Sequence, residues 1–327
     1  MYSIEELQKL VEKEVALRSE AMLQNTPVGL YRPIQYSLEI GGKRLRPVLL
    51  LLAYNLFSDD IENALPAAIA FEVFHNFTLL HDDIMDKASV RRNRATVHVQ
   101  FSENNAILSG DAMAFQSYKY LIECKSAKRV ETMALFTQTA IEVCEGQQFD
   151  MDFESRLDVK AEEYLEMIRL KTAVLLAGSL KAGAILAGAS DKTANELYDF
   201  GTRLGLAFQL QDDLLDSFGD QQTFGKKIGG DILANKKTYL LIKTLENATS
   251  DQKKELLGWV EKTGHDPAEK ILAVTRLYES VGVKQIAEKK IDFYFSNAMK
   301  ILQNLKVEDS RKDALQQLSA KMLTRKY

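Results

Sequence analysis

Residues 61–86 read IENALPAAIAFEVFHNFTLLHDDIMD, and this stretch decides what kind of chain it belongs to. Apolar residues recur every three or four positions from Ile61 to Leu80, the spacing of one helix face, and the run ends in Asp82, Asp83 and Asp86. The same ending returns once: Leu206, Phe208 and Leu210 lead into Asp212-Asp213-Leu214-Leu215-Asp216. In a helix the first and fifth residues of each cluster lie about one turn apart on one face, so each cluster offers at least two carboxylates to one point. Like charges packed so closely repel unless they share a cation. Magnesium fits, because it takes oxygen ligands and is commonly held by one or two carboxylates plus substrate phosphates. One such cluster could be a solvated helix end. Two of the same spacing, each at the mouth of an apolar wall, point to binding of a metal and a polyanion.

Outward from these motifs, helical spacing also covers residues 4–23, 106–122, 133–149, 161–189, 193–215, 238–245, 271–281 and 283–305. No segment alternates as a strand would, and only 5 Pro and 17 Gly punctuate the 327 residues. No Pro-, Ser- and Gly-rich run marks a linker. The expected fold is therefore all-α, a single domain of long helices over 1–327. Residues 219–237, with Gly219, Gly225, Gly229 and Gly230, read as a functional loop.

A hydrophobic content of 46% and a charged content of 27% provide for a substantial core. The net charge of −4 argues against a nucleic-acid partner, whose footprint is strongly basic. Two cysteines, Cys124 and Cys144, give neither a disulfide framework nor a spaced metal site and suit a reducing compartment. The N-terminal MYSIEELQKLVEKEV reads as a first helix rather than a signal peptide, so a cytoplasmic location is expected. The apolar run 48–57 is too short to span a membrane and 174–189 is interrupted by Lys181, so both read as buried core helices with no transmembrane segment.

A metal-bound polyanion also needs cations. Gly41-Gly42-Lys43-Arg44-Leu45-Arg46-Pro47 opens an apolar helix with a flexible glycine pair, and Arg46 can grip a phosphate bidentately. Arg91, Arg92 and Arg94 trail the first aspartate motif; Lys226, Lys227, Lys236 and Lys237 trail the second. His75 and His81 lie on the helix of the first motif, as core histidines or as site residues. Lys171-Thr172 sits within the apolar stretch 165–176, where the lysine either reaches out to solvent or sets a cation over a buried reaction centre.

Taken together these residues resemble the trans-type isoprenyl diphosphate synthases, the group that includes the farnesyl and geranylgeranyl diphosphate synthases. The resemblance rests on residues 41–47, His75, 81–86, Arg91-Arg92, Gly110-Asp111, Gly146-Gln147, Lys171-Thr172, Phe208-Gln209 with 212–216, and 225–238. It implies long helices around a central apolar cavity, a homodimer, and condensation of isopentenyl diphosphate with allylic diphosphates, with Mg2+ as cofactor at three ions per active site. By the same resemblance Asp82, Asp86 and Asp212 are the main metal ligands, and Asp83, Asp213 and Asp216 bind metal-held water or support the cluster. Arg91, Lys171, Thr172, Gln209, Lys226 and Lys236 correspond to the allylic diphosphate site and the reaction centre; Lys43, Arg46, His75 and Arg92 correspond to the isopentenyl diphosphate site. Asn93-Arg94-Ala95-Thr96 departs from the family, which often has a glycine and a proline there. Either Lys226 or its neighbour Lys227 could reach the phosphate, and Arg325 and Lys326 could help close the site.

Product length should follow the depth of the apolar channel beneath the first motif. Thr78 and Phe77 stand four and five positions before Asp82, with Phe74 a turn deeper, so this face is the expected floor. An aromatic five back beside a small residue four back resembles synthases of the geranylgeranyl (C20) type, with farnesyl diphosphate (C15) as the alternative. A non-catalytic subunit of a heteromeric synthase would lose motif carboxylates, and a terpene cyclase would carry Asn, Ser or Thr, and Glu in its second motif; this chain keeps both aspartate sets.

Overall fold

The computed structural model describes residues 1–219, 228–261 and 264–324, which are helical almost throughout. In chain order the helices are α1 (Ile4–Met22), α2 (Val28–Glu39), α3 (Leu45–Asn55), α4 (Leu65–Met85), α5 (Val97–Gln100), α6 (Glu103–Glu123), α7 (Arg129–Glu154), α8 (Ala161–Ile168), α9 (Val174–Leu186) and α10 (Asp191–Phe218). They continue with α11 (Gly230–Leu233), α12 (Tyr239–Asn247), α13 (Ser250–Glu261), α14 (Pro267–Val281), α15 (Val283–Asn304) and α16 (Asp309–Leu323). Local sequence explains the boundaries. Ser3 and Glu6 form a reciprocal capping box at α1, and Ser102, Thr238 and Asp266 each cap a helix start with a side-chain oxygen. Gly282 ends α14 at φ 74, a left-handed turn that glycine adopts without strain.

The described residues group into two compact units. The first holds Met1–Thr139, Leu175–Tyr198 and Gln303–Gln316. Within it α4 packs against α3 and α6, and α2 against α1 and α6. Leu49, Leu50, Leu51, Phe71 and Phe136 are fully enclosed, each stabilising by roughly 1.5–3 kcal/mol relative to exposure. Gly183 lets α9 touch α3, for a β-carbon there would collide with the Leu50 carbonyl. That close approach accounts for the small, apolar composition of this stretch, and no helix among the described residues is long and apolar enough to cross a membrane.

The second unit holds Ala140–Val174, Asp199–Leu302 and the chain from Gln317. Its core draws Met167 from α8, Leu210 and Leu214 from α10, Leu240 from α12, Leu256 from α13 and Leu277 from α14.

Several expected boundaries shift. The helix expected over 161–189 is divided by a π-helical turn, Arg169–Ala173, which takes in Lys171 and Thr172. Residues 219–237 are not wholly loop, since α11 lies within them. Residues 61–63 form a separate 3-10 turn before α4. Where no strand was expected, Val90–Arg91 and Arg94–Ala95 (β1 and β2) pair antiparallel around Arg92 and Asn93, whose φ values of 50 and 61 are the positive pair that tight two-residue hairpins demand.

Candidate active site

Both aspartate motifs close their helices, and this is where carboxylates are least welcome, because the helix dipole places partial negative charge at that end. Asp82 and Asp83 lie in the last turn of α4, and Asp86 caps it. The three are not equivalent. Asp83 points inward with 6% of its side chain exposed, against 19% for Asp82, while Asp86 is exposed. Arg91 on β1 holds Asp83 from both sides, its Nε donating to the two carboxylate oxygens at 2.8 Å and its Nη2 lying 2.7 Å from Oδ1. The same guanidinium reaches Asp82 at 3.4 Å. Burial pushes the Asp83 carboxyl up, and Arg91 opposes that shift.

A short way back along α4, the His75 Nε2 lies 2.9 Å from Arg46 Nη1. Burial, then Arg46 and Arg92, push the imidazole well below its ordinary value, so it is neutral and Nε2 accepts from the guanidinium. Arg92 lies against Gly42, where a β-carbon would meet its guanidinium. Arg46 and His75 thus meet directly, and Arg92 lies against the glycine pair that precedes Arg46; Lys43 is exposed on the same loop. Arg44, expected as one of three cations on the basic loop, is instead buried, and its partner Glu72 was not foreseen. Arg44 turns inward at φ 48 and donates to Glu72 Oε1 at 2.5 Å and to the Leu38 carbonyl at 2.7 Å. Glu72 also accepts from Asn76. A buried acid on an apolar face gives no sequence signal beyond its odd polarity.

Before Asp82 a column of rings runs down α4 and ends on α7: His81 on Phe77 at 4.7 Å, Phe77 on Phe74 at 5.3 Å, Phe74 on Phe136 of α7 at 5.1 Å. Thr78 bonds back to the His75 carbonyl. His81 is fitted against Gly110, where any side chain would strike the imidazole.

In the second unit the pattern repeats with different parts. Asp212 and Asp216 are partly exposed and Asp213 is buried. Asp213 accepts the Tyr164 hydroxyl on Oδ2, a short bond, and the Gln209 amide on Oδ1 at 3.0 Å. Gln209 in turn accepts from the Thr172 hydroxyl at 3.1 Å, so Thr172, Gln209 and Asp213 form one chain. Burial, then the charges of Asp231 and Asp212, raise the Asp213 carboxyl to about 8, against the pull of its two donors. Tyr164 was missed because a tyrosine on an apolar stripe reads as core.

Lys171 pairs with Asp150 at 2.6 Å, a partner equally absent from the sequence reading. The lysine's backbone lies hard against Gly146 on α7, where a β-carbon would overlap it. Asp216 is joined to the following turn: its Oδ2 accepts the Asp231 N–H at 2.9 Å, and the Asp231 carbonyl accepts the Lys236 N–H at 3.0 Å. Residues 220–227, with Lys226 and Lys227, lie outside the described residues, as do Arg325 and Lys326.

Among the described residues no three Asp, Glu, His or Cys side chains converge as a metal cluster. The donor set nonetheless suits a hard cation, for each motif keeps two accessible carboxylates one turn apart and turns its second aspartate inward. Magnesium bound this way would complete its shell with substrate phosphate and water rather than with a protein cage.

The polyprenyl synthetase family model matches residues 27–278. The chain is 44% identical over 229 residues to a short chain isoprenyl diphosphate synthase of Methanocaldococcus jannaschii, covering 70% of each chain. A crystal structure of a geranylgeranyl pyrophosphate synthase, 43% identical, superposes with a TM-score of 0.92 over 100% of both chains. A geranylgeranyl pyrophosphate synthase from Corynebacterium glutamicum, solved with isoprenyl diphosphate and magnesium, is 26% identical with a TM-score of 0.91, covering 99% of this chain and 100% of that one. With both aspartate motifs intact, the chain belongs to the polyprenyl synthetase family and is a prenyltransferase.

Proposed function

We propose that this enzyme condenses isopentenyl diphosphate head to tail with allylic diphosphates and releases geranylgeranyl diphosphate, the whole chain acting as one synthase domain. One observation carries the reading: two aspartate motifs, each with its first and fifth carboxylates accessible and its second held by a dedicated donor, Arg91 in one and Tyr164 with Gln209 in the other. Asp82, Asp86 and Asp212 would hold magnesium, three ions in all, with Asp83, Asp213 and Asp216 binding metal-held water or supporting them. The metal would supply charge neutralisation of the diphosphate leaving group.

The remaining work falls to the chain. Arg91, Lys171 and Lys236, with Lys226, bind the allylic diphosphate and stabilise the charge it gains as the carbon–oxygen bond breaks. The hydroxyl of Thr172 and the amide of Gln209 set oxygen dipoles near the resulting carbocation, and apolar walls exclude water from it. Lys43, Arg46, neutral His75 and Arg92 hold isopentenyl diphosphate while its double bond attacks. The proton lost from the new chain passes to the departing diphosphate. The rings of Phe77 and Phe74 bound the space for the growing chain.

The names of the relatives support the C20 product. A homodimer is supported by Leu108, Phe115 and Ile122, which repeat at seven-residue spacing on α6 and are 59%, 75% and 55% exposed, an apolar stripe that a second copy would cover. To test the product, the purified chain is given magnesium, isopentenyl diphosphate and each allylic starter in turn, and the dephosphorylated product is sized. C20 is the expected result; a C15 end product, or none from any starter, overturns the proposal.

A further inference from the structure

Lys270, in the first turn of α14, retains 1% exposure. Lysines are almost never sealed off so completely unless an acid neutralises them, yet among the described residues Lys270 has no ion pair. Its Nζ donates instead to the side-chain oxygen of Asn235 at 2.5 Å. The location is poor for stability alone. A helix's first turn repels cations, and burial together with the nearby Lys237 pushes the ammonium below the ordinary lysine value.

Asn235 is where three holds meet. Its amide donates to the Val260 carbonyl at 3.2 Å, beside Trp259, and its own carbonyl accepts Lys237 Nζ at 3.0 Å. It stands at φ 52, just past the end of α11, where two backbone bonds close the helix: Asn235 N–H to Ile232 and Lys236 N–H to Asp231. That pair is the Schellman ending, for which asparagine is the usual substitute for glycine. One residue on, the Lys236 carbonyl accepts the N–H of Thr238, the cap of α12. The other end of α11 starts on Asp216, whose backbone carbonyl takes the Gly229 N–H at 2.7 Å. A β-carbon on Gly229 would collide with Ile271, the residue after Lys270. Helix α14 therefore meets the chain at both ends of α11, at Gly229 and at Asn235, just before Lys236.

We infer that Lys270 is a positioning residue for prenyl transfer: through Asn235 it fixes the turn that sets Lys236 at a defined reach from Asp216. The inference rests on the proposed contact between Lys236 and the allylic diphosphate. Lys270→Met keeps the apolar stem and removes the ammonium, and Asn235→Gly keeps the left-handed turn and removes the amide. In steady-state kinetics of the full chain, each should raise KM for the allylic diphosphate about tenfold. KM for isopentenyl diphosphate should stay within about twofold, and the double variant should be no worse than the poorer single. Lys270→Arg should recover part of the loss. A purely structural role would lower the thermal midpoint and the active fraction while leaving both KM values alone, and that result overturns the inference, as does additivity in the double variant. Lys236→Ala separates the two readings. If it raises the allylic KM while Lys270→Met and Asn235→Gly do not, this inference alone fails; if it leaves that KM unchanged, the Lys236 assignment and this inference fall together. Should Lys270→Met not fold, Asn235→Gly and Lys270→Arg decide the question by the same measurements.

Discussion

The two aspartate motifs share a sequence pattern and a place at a helix end, yet their buried aspartates are supported in opposite ways. Asp83 is held by a cation, with Arg91 on both of its oxygens. Asp213 is held by neutral donors, Tyr164 and Gln209, and its carboxyl is raised to about 8. A repeated motif therefore repeats its accessible ligands and not its foundations. If that is right, variants of accessible residues should behave alike in both motifs, and variants of the supports should not.

The largest effect tests the likeness. Asp82→Ala and Asp212→Ala should each lower kcat/KM by on the order of a thousandfold, roughly 4 kcal/mol, without changing the thermal midpoint. Chelation of divalent ions should silence the unaltered enzyme to a similar degree. Near-normal turnover by either variant would contradict the metal role of that motif.

The next effect tests the difference. Arg91→Gln leaves a buried carboxylate facing an amide in place of a cation and should destabilise the fold by about 3 kcal/mol in denaturant titration. Tyr164→Phe removes one of two neutral donors from a carboxyl that can take up a proton, and about 1 kcal/mol is expected. Equal losses would mean that the two foundations are equivalent after all.

Smallest in energy is the effect on product. Phe77→Ala opens the ring column and should extend the product by one or more five-carbon units, whereas Leu206→Ala should leave chain length at C20. An unchanged product from Phe77→Ala, read by chromatography of the dephosphorylated chains, removes Phe77 as the floor.

The helices and the accessible aspartates were legible because periodicity and charge are local properties of the sequence: 193–215 was expected as helix and lies within α10. The supports were not. Tyr164 reaches Asp213 across 49 positions, and Arg44 reaches Glu72 across 28, so each pairing exists only once the chain has folded. The hairpin at Arg92 was hidden for another reason: Asn93 is an ordinary occupant of a positive-φ position, but Arg92 before it is not. The π-helical turn that carries Lys171 likewise leaves no mark in an apolar run, because hydrophobic periodicity cannot register one extra residue in a bonding ladder.

The bond from Asn235 to the Val260 carbonyl gives the molecule an optical reporter of its own. Trp259 is the one tryptophan in the chain and adjoins Val260, with its ring edge-on to His265 at a centroid distance of 6.2 Å. Its fluorescence therefore originates one residue from the contact that steadies the Lys236 turn. Titrating the unlabelled enzyme with diphosphate ligands while recording that emission would follow the turn directly, in a chain where no second indole adds background.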